Sequence, residues 1–180
     1  VAGHPTGVRA ARPGAEIERS PMRIAYRTLG FLIAALVAVQ AASHAWSSAG
    51  LGLYVAEGHT VDSSLLESPT LPFPEALGFM IHGLNGMYII PAVALALLVV
   101  SFFVHLRGAV LFAAITLGLV AIQVTLGLLG HGLPTLGLLH GLNAILLVCS
   151  ALYTQSLAAP SRAVAATAAT ARTAQTRVHA

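Results

Sequence analysis

Four long apolar runs dominate the chain, and its polar and charged positions are confined to the two ends and to short breaks between the runs. The runs occupy residues 24–46, 77–104, 109–130 and 134–157. Each holds about 20 residues or more, the length a helix needs to cross a hydrocarbon core roughly 30 Å thick. Backbone groups inside a bilayer must satisfy one another, which leaves helices or a closed barrel. Continuous apolar runs without strict alternation predict helices. The expected fold is therefore all-α: an integral membrane four-helix bundle spanning residues 23–157, with an outer loop at 47–76. Residues 1–22 mix Gly, Pro, Arg and Glu, and 158–180 form an Ala/Thr/Arg stretch with little to bury. Both are expected to be disordered.

Composition carries the same message. The chain is 57% hydrophobic and 8% charged, whereas a soluble domain carries about a quarter charged residues. Its net charge of +3 does not point to nucleic acid, because a binding face needs basic residues clustered on a folded surface. All nine basic residues are arginines, and their placement reads as topology. Arg9, Arg12, Arg19, Arg23 and Arg27 precede or open the first helix, Arg107 lies between the second and third, and Arg162, Arg172 and Arg177 follow the fourth. The 47–76 loop has none and carries Glu57, Asp62, Glu67 and Glu75 instead. Arginines concentrate in cytoplasmic segments, so both termini are expected in the cytoplasm, with the protein in the plasma membrane. Ser43-His44-Ala45 behind the first apolar run resembles a signal-peptide cleavage site. That run is too long for a typical signal core, so a retained first helix is expected. Cys149 is the only cysteine, which excludes an intramolecular disulfide.

Chemistry enters with a repeated motif. His82-Gly83-Leu84-Asn85 in the second apolar run recurs as His140-Gly141-Leu142-Asn143 in the fourth, 58 positions later. Helices 1–2 and 3–4 are thus expected to be two copies of one helix pair, related by an axis along the membrane normal. Both motif helices enter from the outer face, with the histidines at about the same depth, some 8–9 Å in at ~1.5 Å per residue. Ionisable groups inside a membrane are costly and usually face the bundle interior. Two level imidazoles beside glycines suit the axial positions of a haem iron, and Asn85 and Asn143, three residues on, share their faces. The expected cofactor is haem b, with His82 and His140 as metal ligands and Gly83, Gly141, Asn85 and Asn143 beside it. Asn85 and Asn143 would orient the ligand rings or bond between helices. The competing expectation is that the His/Asn pairs only hydrogen-bond across a cofactor-free bundle. His44 and His131, near the outer face, are conceivable ligands of a second site but lack the repeated spacing and acidic or thiol companions of a metal cluster. Pro91 is expected to kink the second helix, and Gly118, Gly127 and Gly130 to allow close packing of the third.

Ala121-Ile122-Gln123-Val124-Thr125-Leu126-Gly127, the turn at Gly132-Leu133-Pro134, and His140 resemble the third and fourth helices of one half of the haem A synthase family. Phe79-Met80-Ile81-His82 resembles the start of that half's second helix. The resemblance covers about residues 24–157. It implies that one histidine from the second helix and one from the fourth hold haem near the outer face, positions that His82 and His140 match. The pattern departs from the family where Phe79 replaces an acidic residue, Gly83 replaces an arginine, and the outer loop lacks a cysteine pair. Glu75, two turns before His82, is a poor substitute for that acid. The resemblance therefore implies haem holding without the synthase reaction. The functions expected are electron transfer, redox sensing or haem handling, alone or beside a larger membrane redox complex. Two others are a structural subunit free of cofactor, and a haem-modifying enzyme that works as a homodimer.

Overall fold

The computed structural model describes residues 21–62 and 70–159. The expected leader and tail, apart from Pro21, Met22, Ala158 and Ala159, lie outside the described residues. Among those described there are helices and turns but no strands. Helix α1 spans Pro21–Ala56. Helix α2 spans Pro74–Ser101, α3 spans Ala109–Gly130 and α4 spans Pro134–Leu157. All four are long and apolar enough to cross a membrane. Large apolar side chains such as Phe31 and Leu138 stay exposed, as lipid contact allows.

Two helices differ from expectation in their bounds. The first helix, described from Pro21, continues to Ala56, so residues 47–56 are not loop. Gly58, with φ of +91°, ends it: His59 N donates to Tyr54 O and Gly58 N to Val55 O, the paired bonds of a glycine C-terminal cap. Hydropathy falls at Ser47-Ser48 and Gly50-Leu51-Gly52, but the helix persists there, and Ser47 and Gly50 face another element. Ser47 Oγ donates to Glu75 O at 2.5 Å, and a Cβ on Gly50 would run into the Glu75 side chain. The second helix likewise starts earlier, in a 3₁₀ turn at Pro74–Ala76, and stops at Ser101 rather than 104.

The helices run up and down around a square. α1 packs between α2 and α4, and α3 packs on the other side of the same two; α2 and α4 therefore face each other across the bundle. The start of α1 meets the starts and ends that share its level: Tyr26 Oη donates to Ala109 O at 2.9 Å, and Gly30 lies against the backbone of Ala151 and Gln155. The core fills this half of the bundle, around Ile33, Val37, Ala94, Leu97, Ala113 and Ala151. Small residues at its centre let backbones approach, the usual device where lipid offers no hydrophobic drive for helix association.

Buried positions follow matched spacings. Tyr26, Gly30, Ile33 and Val37 of α1 correspond, 83 residues on, to Ala109, Ala113, Thr116 and Val120 of α3. Asn85 of α2 corresponds to Asn143 of α4 at 58, whereas Ile90, Ala94 and Leu97 correspond to Leu147, Ala151 and Thr154 at 57. The extra residue of α2 is taken up by a π-helical segment at Asn85–Ile89, shortly before Pro91. A π turn absorbs one extra residue within a helix. Pro91 falls in the first turn of the next α segment, where its missing N–H costs little. The proline thus lies directly after a register shift in the helix.

Candidate functional site

His82 and His140 stand level on opposed helices, with ring centroids 6.1 Å apart and planes inclined by 47°. Each ring is anchored by the helix that precedes its own. His82 Nδ1 lies 3.0 Å from the carbonyl oxygen of Gln40 on α1, and His140 Nδ1 lies 3.0 Å from that of Gln123 on α3. A carbonyl only accepts, so both bonds require the proton on Nδ1. In each neutral ring, Nε2 then carries the lone pair. Among the described residues neither Nε2 has a hydrogen-bond partner.

The asparagines serve the interface behind the rings. Asn85 Nδ2 donates to Leu36 O at 3.0 Å and to Gln40 Oε1 at 3.1 Å. Asn143 Nδ2 donates to Leu119 O at 3.0 Å and to Gln123 Oε1 at 2.6 Å. Both are buried. The two clusters, Gln40/His82/Asn85 and Gln123/His140/Asn143, therefore make the same three bonds. Of the two roles expected for the asparagines, these are the interhelical bonds; the imidazoles are oriented by backbone carbonyls.

The glutamines are the residues that sequence reading missed as a pair. Their signal was available: each is the single amide in an apolar helix, and they lie 83 positions apart, the spacing of the buried positions. Gln40 sits against Gly86, where a Cβ would meet its Nε2. Gln123 Nε2 instead donates to His140 O at 3.0 Å.

His44 breaks the match. It lies against His82 with centroids 4.9 Å apart and meets the ring of Phe79 edge-on at 5.6 Å. The corresponding position on α3 is Gly127, where a Cβ would come within 3.1 Å of the His140 ring. His131 bonds to Leu128 O in its own helix end at 3.3 Å, and no contact joins it to His44. Among the described residues no group of three His, Cys, Asp or Glu side chains is placed to hold a metal ion.

The three histidines and both glutamines line a cavity of about 650 Å³ between the four helices, within the range of small-molecule and cofactor sites. The rest of its wall is almost wholly apolar, from residues such as Val37, Ile90, Val120 and Leu147. Gly141 also lines it; Gly83, Asn85 and Asn143 do not. Such a chamber can take an apolar ligand beside two imidazoles whose Nδ1 protons are already committed. No family model, no curated protein and no solved structure matches the chain.

Proposed function

We propose that the protein is a bis-histidine haem b-binding membrane protein that carries electrons, with His82 and His140 as the axial ligands. The observation behind this reading is the tautomer of the two facing rings. Each Nδ1–H is committed to a backbone carbonyl, which leaves two Nε2 lone pairs beside one cavity. Ligating histidines are commonly held this way, with the outer nitrogen bonded to a carbonyl that fixes ring orientation and raises basicity. The spacing fits as well: two imidazoles on one metal, with bonds of roughly 2 Å, have centroids about 6 Å apart, against 6.1 Å for this pair. Held by His82 and His140, the group would supply one-electron transfer rather than oxygen chemistry. The chain's own residues exclude water with an apolar wall and hold the rings against rotation through Gln40 and Gln123.

The matched buried positions and the duplicated Gln/His/Asn clusters support two copies of a helix pair about an axis along the membrane normal. Arginine placement supports cytoplasmic termini and an outward-facing haem end in the plasma membrane. On this reading the partners are lipid and a membrane redox complex or second copy that gives or takes the electron. A likeness to half of the haem A synthase architecture agrees with haem holding. Phe79 and Gly83, where that family has charged residues, favour holding over synthesis.

A second reading, a structural subunit without cofactor, draws on the same bonds: the His and Asn side chains already join α2 to α1 and α4 to α3. One spectrum separates the two. The full chain, purified in mild detergent with haem supplied, is expected to show a sharp reduced α-band that both His82→Ala and His140→Ala abolish. A folded, colourless wild type rules the haem reading out in favour of the structural one.

A further inference from the structure

The cavity has an open side, and its place in the bundle is specific. A residue that lines a cavity while remaining exposed marks the mouth. Every such residue belongs to α1 or α4: Ala38, Ala41, His44 and Ala45 on the first, Gly141, Ile145 and Cys149 on the second. The lining residues of α2 and α3 are half-buried or buried, with Ile90 at 4% and Val120 at 2% exposure.

The seam between α1 and α4 is closed at the Tyr26 end of the bundle, where Gly30 stands so near the α4 backbone that a Cβ would lie 3.0 Å from Ala151 O and Gln155 N. Toward the histidines it opens. Ala34, Ala38, Ala41 and Ala45 follow an i, i+4, i+7, i+11 spacing that sets them on one helix face, and alanine leaves that face shallow. The corresponding positions of α3 are Leu117, Ala121, Val124 and Leu128; Leu117 packs against the core and Val124 lines the wall. Leu117 and Val124 thus put bulk where Ala34 and Ala41 leave the corresponding seam shallow.

We infer that the ligand of this cavity, a flat lipid-soluble tetrapyrrole, enters sideways from the bilayer through the α1–α4 seam, and that Ala41 and Ala45 set the width of the opening. The inference rests on the haem reading of the same cavity. It departs from entry by the outer aqueous face. No mouth residue carries a formal charge apart from what His44 can acquire, and the seam lies along spans that are apolar throughout. A ligand dissolved in lipid therefore meets the opening without crossing water.

The test uses the full chain, prepared without haem and reconstituted in phosphatidylcholine liposomes. Haemin is presented either dissolved in the same bilayer or bound to albumin in the outer solution, and growth of the reduced α-band is timed. Wild type is expected to load from the bilayer. The double variant Ala41→Leu/Ala45→Leu is expected to load from the bilayer at least about tenfold more slowly than wild type, and to gain a reduced α-band when refolded with haemin present, where entry through the seam is bypassed. That second arm separates a blocked route from a lost site or a lost fold. Equal loading rates for variant and wild type overturn the route, as does faster wild-type loading from albumin. A variant that stays colourless after refolding with haemin, while remaining helical, assigns the alanines to the site and also overturns it. A wild type that takes up haemin by neither route removes the haem reading itself.

Discussion

Gln123 and Asn143 are joined twice over, by the 2.6 Å bond from Asn143 Nδ2 to Gln123 Oε1 and through His140, whose Nδ1 bonds Gln123 O and whose carbonyl accepts from Gln123 Nε2. One glutamine therefore ties two successive polar residues of α4 to α3. Gln40 holds Asn85 and His82 on α2 in the same way, without the last of those bonds. Interhelical hydrogen bonds in membranes contribute about 0.6 kcal/mol on average and up to ~1.7. Gln123→Leu removes two and is expected to cost about 1–3 kcal/mol on that scale. Gln40→Leu removes one and should cost less. Thermal midpoints of the purified variants in detergent check the order, and an equal or reversed ranking speaks against it.

The glycines separate by what a methyl group would meet. Gly118→Ala adds a Cβ with nothing within 4 Å and relieves the unfolded chain of glycine's freedom, so a gain of about 0.5–1 kcal/mol is expected. Gly30→Ala drives a Cβ to 3.0 Å from two backbone atoms of α4, where neither helix can yield locally. A loss of about 1–3 kcal/mol is expected from such overpacking. The same substitution thus changes sign between two membrane helices, which a paired denaturation series reads directly.

The π segment of α2 makes an unusual deletion tolerable. Removing Met87 while changing Pro91→Ala takes out the extra residue that Asn85–Ile89 accommodates. Ile90, Ala94 and Leu97 then keep facing the core beneath an uninterrupted α-helix. Deleting Ile145 from α4, which has no such segment, turns Leu147, Ala151 and Thr154 away from it by about 100° at 3.6 residues per turn. The first variant is expected to retain its helical circular dichroism and a cooperative transition, and the second to lose the transition. Similar behaviour of the two would show that the register shift is not what the π turn absorbs.

Membrane orientation is open to a labelling test. In a Cys149→Ala background, a cysteine at Asp62 should react with a membrane-impermeant maleimide on intact cells, and one at Arg107 only after permeabilisation. This follows from arginines being held on the cytoplasmic side. Labelling of position 107 alone in intact cells inverts the topology.

Loop and helix are confused in the sequence wherever hydropathy and helicity part company. Residues 47–56 read as loop because serines and glycines interrupt the apolar run, yet two of those small residues, Ser47 and Gly50, let α1 pass close beside Glu75. The extra residue in α2 was equally hidden. Pro91 pointed to a disturbance, but only the burial of Asn85 and Ile90 on one face reveals its form. His82 and His140 were legible as a pair because an imidazole is conspicuous in an apolar helix.

What the sequence alone determined is the set of four spans and the pair of motif histidines. Both depend on local composition: about 20 apolar residues must be helical in lipid, and a repeated tetrapeptide is visible without coordinates. Which nitrogen each ring presents was decided by the tertiary structure, because it depends on carbonyls 42 and 17 residues away in the chain. The same holds for the separation of 6.1 Å and for the open seam. These arise from how close four helices approach, and side chains distant in sequence set that approach jointly.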